Sequence, residues 1–124
     1  MSADPADQIP VLMPMSAAAR DVLRERHRQT LPLPEGEGFD ARLDDGLLRH
    51  ELMRAAIAYA VASVDPEDPL IRHWWPTSNW PLKVKDPRRN LVRAAALLIA
   101  EIERRDRADP VAPPPDKPPP QEAA

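Results

Sequence analysis

The residues best equipped for chemistry lie in one short stretch, His73–Arg89, which reads HWWPTSNWPLKVKDPRR. It holds all three tryptophans of the chain, Trp74, Trp75 and Trp80, followed by the basic residues Lys83, Lys85, Arg88 and Arg89. Asp86-Pro87 reads as a helix start, because aspartate caps a free first-turn amide and proline suits the first helical position. Such a start exposes unpaired amides and the positive end of the helix dipole, so it favours anions. Four basic side chains around it make a candidate phosphate site, and Trp75 and Trp80 could stack on a base, as in proteins that hold single-stranded nucleic acid. The competing reading is structural. Large rings bury much area per residue, so the tryptophans can close the end of a small core, with the basic residues as a solvated face stacked in part on the rings.

A second constellation is carboxylate. At 100° per residue Glu25, Glu51 and Glu101 each fall about 60° from an apolar position of their own helix (Val22, Leu48 and Leu98), and Glu103–Asp106 has an ExxD spacing. Glu25, Glu51, Glu101 and Asp106 are therefore candidate oxygen ligands for Mg²⁺, which would hold a polyphosphate. This would be the chemistry of an all-α nucleotide pyrophosphohydrolase, although no EExxE occurs here. The alternative is a set of ordinary ion pairs with Arg26, Arg54 or Arg105. His27, His50 and His73 are scattered without ligand spacing. There is no GxSxG, no P-loop and no dinucleotide fingerprint.

Three helices must position these groups. The first is expected from the Ser16 cap through AAARDVLRERHRQ, with Ala19, Val22 and Leu23 on its apolar face and Arg26 and Gln29 falling on the same side; Pro32 and Pro34 end it. A glycine-rich acidic loop, EGEGFDARLDDG, follows. The second helix is expected from about Asp45 to Ser63, with Leu48, Leu52, Ala55, Tyr59 and Ala62 on one face. The third is expected from Pro87 to Arg107, with Leu91, Ala95, Leu98 and Ile102 as its core stripe, widened by Val92 and Ile99, and with Glu101–Arg105 and Glu103–Arg107 as ion pairs. No segment alternates as a strand does, and there is no internal repeat. The fold class is all-α: a small three-helix bundle over residues 16–107, with a Trp/Pro loop before the last helix, a flexible head over 1–15 and a disordered proline-rich tail over 108–124.

Net charge is −3 with both signs interspersed, which argues against a basic nucleic-acid binder as a whole but leaves room for a local basic patch. With no cysteine there is no disulfide framework and no thiolate metal site. No apolar run approaches the ~20 residues that span a bilayer, and no signal peptide is recognisable, so the cytoplasm is the expected location. The tail's PPPDKPPP contains PxxP frames, for which plain disorder is the competing reading. The Ala-, Arg- and Pro-rich usage is that expected of a GC-rich bacterial or phage genome.

The block EGFDARLDDGLLRHELMRAAIAYA, followed by WWP…W…KVKDPRRNLVRAAALLIAEIERRDR, resembles a group of small phage and prophage proteins of unknown function. Their pattern is an ERxRQ first helix, an acidic loop, ELxxAAxxYA, a Trp/Pro loop and KPKDxRRxLVKAxALIxAEIERLDR. The matching pieces are Glu25–Gln29, Asp44-Asp45, Glu51–Ala60, Trp75, Lys83–Arg89 and Leu91–Arg107, about two thirds of the chain. Where the pattern has GWTPEHDD this chain has GFDARLDD, so a Glu-His pair is missing. The resemblance implies a helical fold and a phage-type origin and supplies no activity. The reading that results is a small cytoplasmic accessory protein in a bacterial host. It binds a nucleotide or nucleic acid through Trp75, Trp80, Lys83, Lys85, Arg88 and Arg89 and has no cofactor. The alternatives are the Mg²⁺-dependent hydrolase and a structural or protein-binding module, such as a homodimer paired through the second helix.

Overall fold

Local signals decide where most helices begin. In the computed structural model, which describes residues 14–47, 49–78 and 80–110, Ser16 Oγ accepts the Ala19 amide at 3.0 Å and opens α1, Ala17–Thr30. Asp40 Oδ1 accepts the Leu43 amide at 2.9 Å and opens a single turn, α2, Ala41–Asp45. Helix α3 runs Glu51–Val64, and Asp68 Oδ1 bonds the Leu70 amide to start another single turn, α4, Leu70–Trp74. Asp86 caps α5, Pro87–Ala108, through the Arg89 amide at 3.0 Å, with Pro87 in the first turn. The described residues are all-α, as the sequence predicts, with three long helices and two single turns where loops were expected. The expected flexible head and disordered tail lie outside the described residues, apart from 14–15 and 108–110. No helix among the described residues is long and apolar enough to cross a membrane.

The second helix starts later than its hydrophobic period implies. Gly46 follows α2, and His50 sits in the left-handed region at φ 61° immediately before Glu51, so the chain turns where a continuous helix from Asp45 was expected. From Leu52 onward the expected face holds: Leu52, Ala55, Tyr59 and Ala62 are buried, while Leu48 lies outside the described residues.

Helices α3 and α5 form the central antiparallel pair, since the Arg93 guanidinium lies over the Tyr59 ring and Ala55 and Leu97 line one void. Alanines 55, 56, 94 and 100 are all buried at this core and let the backbones approach closely. The stripe expected to face the core on α5 does not. Leu91, Leu98 and Ile102 are 53, 44 and 58 % exposed, and the buried face is Asn90, Ala94, Leu97 and Glu101. That face can be buried because its two polar residues are satisfied by neighbours. Glu101 is bonded by Arg104 at 2.9 Å and by Arg105 at 2.7 Å. Asn90, wholly buried, accepts the Lys85 amide at 2.8 Å and donates to the Lys85 carbonyl at 3.0 Å.

Asn90 thereby pins the end of the tryptophan loop to α5. Asn90→Ala leaves both Lys85 backbone groups without that partner and is expected to destabilise the fold by roughly 2–4 kcal/mol. The check is the urea midpoint, with the helical circular dichroism of the folded baseline unchanged; a loss below about 0.5 kcal/mol, typical of a surface change, would contradict this role.

Candidate anion-binding groove

The tryptophan loop folds onto the core. Trp75 and Trp80 are half-buried and pack on the cluster of Phe39, Leu52, Ala55 and Tyr59. Trp80 lies 5.0 Å from the Phe39 ring, Trp75 stands edge-on to Tyr59 at 5.5 Å, and the Trp75 indole N–H donates to the Trp80 carbonyl at 3.0 Å. Trp74, at the end of α4, carries the Arg54 guanidinium over its ring at 5.3 Å. These rings are engaged with one another and with the core.

The four basic residues of the loop separate. Lys83 is tied down on both sides: its ammonium bonds Glu37 at 2.8 Å, its amide donates to Tyr59 Oη at 3.1 Å, and its carbonyl accepts from Arg93 at 2.7 Å. Lys85 is exposed and is held through its backbone by Asn90. Arg88 pairs with Asp21 of α1 at 2.9 Å, and Arg89 with Asp86 at 3.4 Å.

Arg88 and Arg89 enter a groove of about 390 Å³ between α1 and the first turns of α5, lined by Asp21, Arg24, Glu25, Arg28, Arg88, Arg89, Val92 and Arg93. Five guanidinium groups face two carboxylates there, and the α5 N-terminus adds the positive end of a 22-residue helix. Arg24, Arg28 and Arg93 were not among the expected site residues. Their signal is the i,i+4 spacing of Arg24 with Arg28 and of Arg89 with Arg93, which puts each pair on one helix face, but only the docking of α1 on α5 brings the two faces together.

An ionic chain runs from the groove toward Lys83. Glu25 bonds Arg28 at 2.7 Å and Gln29 at 3.2 Å and lies 3.9 Å from Arg93; Arg28 bonds Glu37 at 3.1 Å, and Glu37 bonds Lys83. The hydrogen bond to Glu25 holds the Arg28 proton above its ordinary affinity, against the opposing effect of burial. At Glu37 burial works against the charge, but Lys83 and Arg28 more than offset it and hold the carboxyl below its ordinary value. Arg28, Glu25 and Arg93 also line a void of about 20 Å³ beside Trp75 and Trp80, so the groove and the tryptophans share a wall.

The four carboxylates expected to converge on Mg²⁺ each have other partners or face solvent. Glu25 belongs to the groove, Glu51 accepts the Arg49 amide at the start of α3, Glu101 is buried between Arg104 and Arg105, and Asp106 is exposed on α5. Glu25 and Glu101 are each matched by an arginine three residues along their own helix, so their charge is met locally. Glu103 likewise pairs with Arg26 instead of Arg107, which bonds Asp45. Among the described residues no three His, Cys, Asp or Glu come together as metal ligands. His27, His50 and His73 are all exposed.

Set against family models, curated proteins and solved structures, the chain matches none.

Proposed function

We propose that the protein is a small binding module for a phosphate-bearing ligand, a nucleotide or a single nucleic-acid strand, held in the groove between α1 and the start of α5. The observation that carries this reading is the convergence of five arginines from two helices on one concave surface at a helix N-terminus. Arginine presents several donors in a planar fork that suits phosphate oxygens, and a groove of about 390 Å³ is of the size that holds a small ligand. Arg24, Arg88 and Arg89 on the rim would take the phosphate, while Arg28 and Arg93, committed in part to Glu25, would set its position. Trp75 and Trp80 have a supporting role here: they close the core behind the groove wall. A bacterial cytoplasmic setting and a phage-type accessory role are part of the same proposal.

The test is a titration with nucleoside triphosphate and with a short single-stranded oligonucleotide, each at two salt concentrations. Indole emission is a direct readout, because Glu25, Arg28 and Arg93 line both the groove and the tryptophan void. Saturable binding that weakens with salt is expected. Arg24→Glu and Arg89→Glu should each weaken it about tenfold or more, with helical content unchanged. Binding that ignores both reversals, or none at millimolar ligand, would overturn the proposal.

A further inference from the structure

Among the described residues the α3/α5 pair is covered on one side only. Arg93 and Glu103 of α5 reach to Glu25 and Arg26 of α1, and Ala58 and Ala62 of α3 pack with Ile71 of α4. On the other side α5 presents Leu91, Leu98 and Ile102 to solvent, with the half-buried Ala95 between them. Leu91, Ala95, Leu98 and Ile102 recur at steps of four, three and four, the spacing of a helix–helix seam, and lie within about 40–60° of one another on the helix. The helical phase of α3 places Met53, Ile57 and Val64 on the same uncovered side, and Val64 is 87 % exposed. Helices bury their apolar stripes against a second layer, and an apolar surface that spans two helices is a mark of association.

We infer that this face pairs with the same face of a second copy of the chain, α5 against α5 and antiparallel, to give a four-helix layer at the centre of a two-fold dimer. The stripe is self-complementary. When two copies of α5 run antiparallel about the midpoint of Ala95–Leu98, Leu91 meets Ile102 of the second copy and Ala95 meets Leu98. The charges agree with this register. Arg88 and Asp106 sit about five full turns apart and therefore on the same shoulder of the stripe, at its opposite ends. The two-fold axis brings each Arg88 against the Asp106 of the other copy, giving two ion pairs that seal the seam. Arg88 remains 57 % exposed at its side chain beside Asp21, which leaves donors for the second carboxylate. A knobs-into-holes seam of this kind is the packing of four-helix bundles, and an isologous contact is the commonest route to a homodimer. The face differs from the second-helix surface that the sequence offers for pairing, because its main stripe is on α5.

The full chain, 13.9 kDa as a monomer, is expected to sediment at twice that mass in the micromolar range. Leu98→Glu places two charges near the axis and should weaken the dimer about a hundredfold or more, with helical circular dichroism retained because Leu98 lies outside the core. Arg88→Asp and Asp106→Arg should each weaken it about tenfold, and the double swap should restore it to within a few-fold of the parent. Since the chain has no cysteine, Leu98→Cys supplies a unique thiol, and a short bifunctional thiol reagent should convert it to a covalent dimer at low micromolar concentration. A monomer throughout this range without crosslinking would overturn the inference, and so would a dimer indifferent to Leu98→Glu. Leu98 and Asp106 lie outside the arginine groove, so Leu98→Glu and Asp106→Arg act on the dimer alone, whereas Arg88→Asp also alters the groove and is read against the double swap.

Discussion

Gly36→Ala is expected to lower the thermal midpoint by more than about 10 °C, corresponding to roughly 3 kcal/mol or more in a domain this small. Gly36 is buried in the turn that follows α1, its amide bonded to the Pro32 carbonyl at 3.0 Å. A Cβ there would collide with the Arg28 and Leu31 carbonyl oxygens and come within 2.7 Å of the Leu31 Cβ. The carbonyls are backbone: Arg28 O accepts the Leu31 amide at 3.1 Å and Leu31 O accepts the Gly38 amide at 2.8 Å. Relief of the collision must therefore move the loop as a unit. That loop carries Glu37, which joins Arg28 to Lys83, and Phe39, which packs in the core against Trp80. Overpacking alone costs about 1–3 kcal/mol, and withdrawal of Phe39 adds to it. Gly38→Ala is the control. Gly38 sits at φ +73° with open space around a Cβ, so alanine there meets only the left-handed backbone cost of about 1–2 kcal/mol. If the two substitutions have equal effects, close packing at Gly36 is not what the loop depends on.

The contrast between these glycines shows what is legible in a sequence of this kind. Helix ends are written locally. Ser16, Asp86-Pro87 and Asp109-Pro110 mark their boundaries because capping needs only residues within one turn, and the structure places α1 and α5 accordingly. Faces are not local. On α5 the large apolar side chains Leu91, Leu98 and Ile102 outweigh alanine in any hydrophobic pattern, yet the buried side is the one whose alanines allow α3 to come close and whose Asn90 and Glu101 are saturated by neighbours. A pattern that scores polar residues as exposed assigns that side to solvent.

The α2 turn was hidden for a related reason. In the sequence Leu48 keeps the period of Leu52, Ala55 and Tyr59, while in the structure Gly46 ends α2 and the left-handed His50 turns the backbone before α3. The groove was half legible. Arg88 and Arg89 stand out because they crowd a helix start. Arg24 and Arg28 read as an ordinary charged face until α1 docks, and the Glu37 that organises Arg28 and Lys83 comes from a loop with no periodicity at all.

Between about pH 5 and pH 6 the protein is expected to lose stability as pH rises, the reverse of ordinary acid denaturation, and the residue responsible is Asp44. It is wholly buried, and burial pushes its carboxyl from 3.8 up to about 6 even though Arg26 pulls the other way. The Arg26 guanidinium, itself buried, bonds Asp44 Oδ2 at 3.2 Å, Glu103 at 3.0 Å and the Phe39 carbonyl at 3.1 Å, so it ties α1, α2, the Phe39 loop and α5 together. Asp44 Oδ1 is buried without a hydrogen-bond partner, which further disfavours the charged form. With its folded value raised, Asp44 keeps in the folded state a proton that the unfolded chain releases above pH 3.8. Its contribution to stability is full below that pH and is lost as pH passes about 6. A shift of this size corresponds to at most about 3 kcal/mol. Glu37 and Glu101 act oppositely: both are held below 4.5, so their contribution is present above that pH and is lost as pH falls. The two trends together predict greatest stability near pH 4–5. Asp44→Asn removes the titrating group, so the decline between about pH 5 and 6 should disappear from a urea-midpoint series. Arg26→Met leaves the Asp44 charge without its buried cation, which should raise that carboxyl further, extend the decline above pH 6 and cost about 3–5 kcal/mol at pH 7. A parent protein whose stability climbs steadily from pH 4 to 7 would show that Asp44 is solvated and that the Arg26 junction is not the closed ionic centre its distances describe.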